Sequence, residues 1–420
     1  MAMQVLALAG LLGALADEHC LLQSHARQDL RALREPVSKV PETQTAPGAY
    51  KDLLRNAYHA YSVLIDAGSS KTKVVIYQNL TEMSLSKEQK ETLKGLKLTA
   101  FEDPCDAVGE VQKLLKAAEE LIPSKERSDT PAWLRGTAGL RLLDPLRTDA
   151  VMACLNERMV KPGATDIDWQ DAKVASGDME AVYGFLAARH IYGDVGSLEM
   201  GGASAQIAFT PDTAILNNEF VYQPGKSIYA KSYQGFGQDQ ALRRSYELQM
   251  KDHPGNVLLH PCLPSGKRFE YGSEGTTYEV IGTSDGPWCE KIVLSLMHRD
   301  YECLQKPCAI AGVYQPKISG KFKAFSAFYY MALGLGVLPS DSSAVPLSAI
   351  KKALGPFCKK SFQDLEEEGS TKYSQYYCFN GWLAYSMLSS FGFDDNSTMI
   401  EFANDVSWTL GALIYLTGTS

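Results

Sequence analysis

Two short stretches put an acid at the end of an apolar run and follow it with glycine and small hydroxyl residues. The first is Ile65-Asp66-Ala67-Gly68-Ser69-Ser70-Lys71-Thr72; the second is Leu198-Glu199-Met200-Gly201-Gly202-Ala203-Ser204-Ala205-Gln206. Glycine lets backbone N–H groups approach an anion, and hydroxyls add further donors. Such turns suit phosphate oxygens, and the adjoining carboxylate suits a metal ion, held directly or through water. Either turn alone also describes an ordinary hairpin. Two of them, with their parts in the same order, point to one phosphate chain gripped from two sides.

Two further stretches lie between them. Trp133-Leu134-Arg135-Gly136-Thr137-Ala138-Gly139-Leu140-Arg141-Leu142-Leu143 reads as a strand, a turn that offers Thr137, and a helix start. Ser176-Gly177-Asp178-Met179-Glu180 opens a helix and puts Glu180 in its first turn. A carboxylate there commonly caps the helix or balances its dipole. Beside a phosphate, a carboxylate within reach of a water is also a general base. Phosphoryl transfer needs positioning and charge neutralisation more than covalent help, so this set is chemically sufficient. His190 and the other histidines fall outside these stretches, which argues against a phosphoenzyme.

These residues need strands and helices to hold them. Tyr61–Ile65 and Lys73–Tyr77 are strand-like runs around the first turn, and a strand-turn-strand unit returns at Val195–Phe209. The two units stand about 130 residues apart, too far for a solenoid, and predict two related lobes. Val108–Leu121 has helical spacing and ends before Pro123. Phe236–His260 reads as helix and then loop, Phe325–Leu338 as an apolar helix closed by Pro339, and Gly381–Phe391 and Phe402–Leu416 as the last two helices. The acidic run Asp364–Glu368 reads as a solvated helix face.

At 420 residues the chain exceeds one ordinary core. Its 45% hydrophobic and 21% charged residues describe a soluble globular protein. A net charge of −8 excludes a sequence-independent grip on nucleic acid. It leaves room for a small phosphorylated substrate, because a bound cation can supply the local positive charge. Val5–Ala16 is almost wholly apolar, and Ala14-Leu15-Ala16 before Asp17 has the pattern of a signal-peptidase site. The expected organisation is a signal peptide at 1–16, an N-terminal extension at 17–57, one lobe at 58–175 plus 405–420, and a second at 176–404. No later run reaches the roughly 20 apolar residues of a membrane span, so the mature chain is expected to carry no anchor. The nine cysteines form no CxxC knot and fit disulfides of an oxidising compartment. The sequons at Asn79 and Asn396 agree with a secreted or luminal location.

The four chemistry-bearing stretches, in this order and spacing, resemble the conserved regions of the apyrase, or nucleoside triphosphate diphosphohydrolase, family. Cys378-Phe379-Asn380-Gly381-Trp382 through Trp408-Thr409-Leu410-Gly411 resembles that family's C-terminal region, and Ser232–Gly237 and Phe325–Tyr330 match as well. The resemblance runs from about Tyr58 to the C-terminus and implies an α/β, actin-like (ribonuclease H-like) two-lobe fold with the nucleotide in the interlobe cleft. By carry-over, Ser69, Ser70, Lys71 and Thr72 bind phosphates from one lobe, and Gly202, Ala203 and Ser204 from the other. Asp66 and Glu199 stand where the family holds Ca2+ or Mg2+, largely through water, with Thr137 and Trp408 in that shell. Glu180 matches the catalytic base, Ser204 and Gln206 position the attacking water, and Tyr330 and Tyr373 stack on the base of a nucleoside di- or triphosphate. The implied bridges are Cys262–Cys289, Cys303–Cys308 and Cys358–Cys378.

This chain departs from the family pattern at five residues. Glu199 replaces the usual Asp, Ala181 replaces the usual Gly, Phe185 and Arg189 replace Trp and Asn, and Phe236 stands where many animal members have Cys. Sugar kinases and chaperone-type ATPases of the same superfold fit poorly with the leader and the cysteines. An exopolyphosphatase is closer, but the Trp133 and Trp408 regions favour a nucleotide. A nucleotide-binding protein without turnover is the alternative that Glu199 and Ala181 leave open.

Overall fold

The computed structural model describes residues 59–418 apart from 224, 253–254, 274, 340–343 and 370. The leader at 1–16, the extension at 17–57 and Cys20 lie outside the described residues. Strands β1 (Tyr61–Ala67), β2 (Thr72–Gln78), β3 (Thr81–Glu82), β4 (Lys94–Gly95), β5 (Pro131–Gly136) and β6 (Asp168–Val174) make one sheet. Its order is β3-β2-β1-β5-β6, with β4 also pairing β2. The β1–β2 hairpin is antiparallel, while β1–β5 and β5–β6 are parallel.

A second sheet contains β7 (Val195–Met200), β8 (Ser204–Phe209), β9 (Glu219–Gln223), β10 (Lys226–Gln234), β14 (Lys321–Ser326) and β15 (Ile400–Phe402). Its order is β15-β14-β7-β8-β10-β9. Here β7–β8 and β8–β10 are antiparallel, and β7–β14 and β14–β15 parallel. The second sheet therefore repeats the plan of the first: a hairpin, then two parallel strands on the far side of its first strand. The echo between the two acid-glycine turns extends to whole sheets, which is the actin-like duplication. A small third sheet holds β11 (Val257–His260), β12 (Arg268–Ser273) and β13 (Thr276–Gly282).

Strand β1 reads as a continuous apolar run at Val63–Ile65, while β7 alternates Leu198 and Met200 with Ser197 and Glu199; both are buried by elements packed on their two faces. Val63, Leu64 and Ile65 of β1 and Leu198 and Met200 of β7 are fully buried. The helices of eight residues or more among the described residues are α1 (Ala107–Leu121), α2 (Pro145–Met159), α3 (Gly177–Tyr192), α4 (Gln238–Asp252), α5 (Gly286–Leu296), α6 (Ala327–Gly334), α7 (Leu347–Phe357), α8 (Tyr377–Ser390) and α9 (Trp408–Thr417). One apolar cluster packs α1 and α2 on the first sheet, and another packs α5, α6, α7 and α8 on the second. A third joins Leu64, Val75 and Trp133 of the first sheet to Phe325 of the second through Tyr183 of α3 and Trp408, Ala412 and Leu413 of α9. Gly411 permits this junction, since a side chain there would collide with the Tyr183 carbonyl.

Three boundaries differ from the periodicity reading. Phe325 and Ser326 end strand β14, and α6 starts at Ala327 and stops at Gly334, before Pro339. The apolar run hid the junction because a buried strand and a buried helix look alike in composition. Phe402 ends β15 and α9 begins only at Trp408. The loop expected up to His260 contains β11, whose Leu258 and His260 point inward. Cysteine pairs 262–289, 303–308 and 358–378 are bridged, and Cys105–Cys154 adds a fourth bridge that ties the lead-in of α1 to α2. Asn79 and Asn396 are exposed, as glycosylation would require.

Candidate active site

The two hairpin turns, β1–β2 and β7–β8, open at the C-terminal ends of the parallel strands, where α/β sheets expose ligand sites. They line one cavity of about 270 Å3 with Asp66, Gly68, Ser69, Ser70, Lys71, Thr137, Glu180, Glu199, Gly202, Ala203, Ser204, Gln206 and Trp408. The turns face each other closely: a methyl on Gly202 would sit 2.8 Å from Ser69 Oγ. Lys73, Ala138, Gly201, Ser326, Val406 and Ser407 complete the wall.

Each turn is braced from behind. The Gly68 N–H donates to the Lys71 carbonyl at 3.0 Å, closing the first turn. The helix start after Thr137 rests on that turn, because a methyl on Gly139 would lie 2.5 Å from Ser69 Cα. In the second turn, the carbonyls of Gly201, Gly202 and Ala203 accept from the N–H groups of Gln238, Asp239 and Gly235 at 2.8–2.9 Å. The Gly201 N–H closes the turn on Ser204 O at 2.9 Å, and Gly202 and Ala203 are held against the cavity. Thr72 does not line the cavity: it is fully buried and its hydroxyl donates to Leu96 O at 2.7 Å. It fixes the exit from the turn.

Glu180 enters through α3. Ser176 caps that helix, its hydroxyl accepting from the Met179 N–H, and the first turn thereby aims Glu180 into the cavity. Arg141 Nη1 lies 2.6 Å from Glu180 Oε2. The N–H does not line up with that oxygen as a hydrogen bond would, so the contact is chiefly one of charge. Ser204 Oγ accepts from Gln206 Nε2 at 2.8 Å and from Arg141 Nη2 at 3.3 Å. Arg141 thus joins the Glu180 carboxylate, the Ser204 hydroxyl and the Gln206 amide into one connected group.

Three buried carboxyls shape the electrostatics. Burial pushes Asp66 up to about 7, with the nearby Glu180 charge adding to the rise. Burial likewise pushes Glu199 up to about 8, again with Glu180 adding. Glu180 itself is raised by burial and pulled back by Arg141. Asp66 Oδ1 and Glu199 Oε2 are buried without a hydrogen-bond partner, while Glu199 Oε1 accepts from Ser326 Oγ at 3.1 Å. Ser326 reaches it from a left-handed backbone conformation, φ 58°.

Acids that repel one another and keep open oxygens fit a divalent cation. Among the described residues, no group of three or more His, Cys, Asp or Glu is arranged to hold a metal alone. A cation here would complete its oxygen shell with waters and substrate oxygens, as Mg2+ commonly does.

Trp408 lines the cavity and stacks on Tyr183, ring centroids 6.1 Å apart. Tyr330 and Tyr373 are not brought into the cavity wall. Both are more than half exposed, and both lie near Tyr377, whose phenol is raised by burial and by these two neighbours. Sequence reasoning missed Arg141, Lys73, Ser326 and Ser407 as site residues. Arg141 and Ser326 stand inside stretches already matched, so the signal was present without a contact to interpret it.

The family model for the GDA1/CD39 (nucleoside phosphatase) family matches residues 52–420. The ectonucleoside triphosphate diphosphohydrolase 1 of Mus musculus is 27% identical over 417 residues, covering 85% of this chain and 81% of its own. The ectonucleoside triphosphate diphosphohydrolase 8 of Homo sapiens is 28% identical over 413 residues, covering 85% and 82%. Among solved structures, nucleoside triphosphate hydrolases from Neospora caninum superimpose with a TM-score of 0.61 at 16% identity, over 88% of this chain and 95% of that one. A Ppx/GppA family member from Aquifex aeolicus shares the fold with a TM-score of 0.50 at 13% identity, over 86% and 98%.

Proposed function

The chain belongs to the GDA1/CD39 (nucleoside phosphatase) family, and from that premise we propose how its cleft hydrolyses nucleoside tri- and diphosphates. It is a nucleoside phosphate hydrolase with an actin-like fold. The observation that carries the mechanistic reading is the convergence of Asp66, Glu180 and Glu199 with two facing phosphate turns in one cavity.

Ser69, Ser70 and Lys71 bind phosphate oxygens from the first turn, and Gly202, Ala203 and Ser204 from the second. Asp66 and Glu199 hold Ca2+ or Mg2+ through water, with Thr137 and Trp408 in the surrounding shell. When bound, that cation neutralises charge on the terminal phosphates. Ser204 and Gln206 position a water, and Glu180 takes its proton. The water oxygen bonds to the terminal phosphorus as the bond from that phosphorus to the bridging oxygen breaks. The bridging oxygen leaves with the electron pair, so a triphosphate yields diphosphate and inorganic phosphate, and a diphosphate yields monophosphate and inorganic phosphate.

Tyr330 and Tyr373 offer exposed rings for base stacking. Sheet one and α9 make the lobe of 58–175 plus 405–420, and sheet two lies in 176–404. Four disulfides and the ecto- designation of the relatives support a secreted or luminal location. Among the described residues, no helix is long and apolar enough to cross a membrane.

The test is phosphate release from ATP, ADP and UDP with Ca2+ or Mg2+, against a chelator control. Release that the chelator abolishes is the expected result. Protein that binds nucleotide yet releases no phosphate sinks the mechanism and leaves a binding protein.

A further inference from the structure

We propose that Arg141 is a positioning residue for hydrolysis, clamping the base Glu180 and the hydroxyl of Ser204 into one geometry around the attacking water. The inference rests on the reading of Glu180 as the base. One guanidinium reaches four groups. Nη1 donates to Ala175 O at 2.9 Å and lies 2.6 Å from Glu180 Oε2; Nη2 donates to Ser204 Oγ at 3.3 Å; Nε donates to Gln234 Oε1 at 3.2 Å. The Gln234 amide in turn donates to Ala138 O at 3.3 Å, on the short helix that ends at Arg141. The fork is therefore anchored on both sides, by Gln234 and by the Ala175 carbonyl. Both Arg141 and Glu180 side chains are largely buried, 16% and 8% exposed, so water screens their attraction little.

Donor counting gives Arg141 a second role. A serine hydroxyl has one hydrogen and two lone pairs. Arg141 Nη2 and Gln206 Nε2 both donate to Ser204 Oγ and fill its accepting side. The Ser204 hydrogen is left to be donated to an oxygen in the cleft. An attacking water can accept that hydrogen while giving its own proton to Glu180, which keeps one lone pair aimed at phosphorus. Arg141 thus sets the direction of the hydroxyl as well as the place of the carboxylate. A lysine offers one point charge and cannot span the two groups as a planar fork does.

The helix that carries Arg141 rests on the first phosphate turn through Gly139. The clamp therefore reaches the first turn through that helix, the second through Ser204, and the base directly. Its loss is expected to fall on the chemical step more than on substrate binding.

The experiment compares wild type, Arg141→Ala and Arg141→Lys by kcat and KM for ATP, and by affinity for a non-hydrolysable ATP analogue. Guanidinium at tens of millimolar is then added to the alanine variant. We expect kcat in Arg141→Ala to fall about 10²–10³-fold, as for a misplaced general base, with KM and analogue affinity within about threefold. Added guanidinium restores activity about tenfold or more in that variant. Arg141→Lys also loses kcat at unchanged KM, and it carries the test if the alanine variant does not fold. A kcat within about threefold of wild type in either folded variant overturns the proposal. So does a rise in KM at constant kcat, which makes Arg141 a substrate-binding group, or a folded, slow alanine variant that guanidinium cannot rescue. Wild-type protein without phosphate release refutes the base assignment itself and is distinguished before any variant is made.

Discussion

Replacing Glu180 by Gln tests the centre of the site with almost no change of shape. The amide fills the same space at the start of α3, and its oxygen can still face Arg141 Nη1, 2.6 Å from the carboxylate it replaces. On the proposed mechanism, what disappears is the proton acceptor at the attacking water. General-base catalysis contributes about 10²–10⁴-fold, so Glu180→Gln should lower kcat by that factor. In barrier terms this is about 3–5 kcal/mol at roughly 1.4 kcal/mol per tenfold.

Stability should respond much less, because two electrostatic changes oppose each other. The variant loses the buried attraction to Arg141, but it also removes the charge that raises Asp66 and Glu199. At about 2.1 cal/mol/K of unfolding entropy per residue, a net change of about 1 kcal/mol would move the melting midpoint of a chain of 420 residues by only about 1 °C. The assay is phosphate release at saturating ATP, with analogue binding and a melting curve on the same preparation. A kcat within about threefold of wild type removes Glu180 from the base role. Lost turnover together with lost analogue binding and a collapsed melting midpoint would make it a structural residue instead.

Three further outcomes follow from other parts of the molecule. Ser326→Gly removes the left-handed strain of a non-glycine residue, about 1 kcal/mol, and also the donor to Glu199 Oε1. The melting midpoint should hold or rise while the cation concentration for half activation increases about tenfold, the cost of a hydrogen bond to a charged group; a lower midpoint with unchanged cation response counts against this. Gly139→Ala drives a methyl to 2.5 Å from Ser69 Cα, and overpacking of about 1–3 kcal/mol should displace the first turn and raise KM for ATP, whereas unchanged KM and melting would show that the turn yields freely. His260 is fully buried and its imidazole is depressed to about 3, so the folded state resists protonation that the unfolded chain accepts near 6.5. Its contribution is complete above pH 6.5 and is lost as pH falls toward 3, at about 1.4 kcal/mol per unit, so His260→Gln should flatten the acid side of the stability curve measured by urea melts.

Residues that act through local spacing were legible in the chain; those that act across the fold were not. The turns at 68–71 and 201–203, the cap at Ser176 that aims Glu180, and Thr137 after β5 all lie within a few residues of the feature that announces them. Arg141 stands inside a matched stretch but has no local partner to give it a role, because Ala175, Glu180, Ser204 and Gln234 lie between 34 and 93 residues further along the chain. Cys105–Cys154 was missed for a related reason: its partners are 49 residues apart, in segments that meet only once α1 and α2 pack. The strand-to-helix junction at Ser326 was hidden by uniform burial, since Phe325 and Phe328 are both fully buried on either side of it. The duplicated sheet could be sensed only as two similar turns, because the repeat lies in strand order and its side chains have diverged.

The longer acid at Glu199 is best understood through that duplication. In each sheet the acid-bearing strand has a parallel neighbour whose end offers a hydroxyl: Thr137 just past β5, and Ser326 as the last residue of β14. Thr137 spends its hydroxyl on the Ala67 carbonyl at 3.4 Å, so Asp66 keeps Oδ1 free of partners. Ser326 instead donates to Glu199 Oε1 from a strained backbone, leaving Oε2 unpartnered. Glutamate extends about 1.5 Å beyond aspartate, one carbon–carbon bond. A hydrogen bond that holds one oxygen back absorbs that extra length while the other oxygen stays available. Each lobe then presents one free buried carboxylate oxygen to the same cavity. A cation bound through water would meet matched donors despite the unmatched side chains, and Ser326 is the residue on which that match depends.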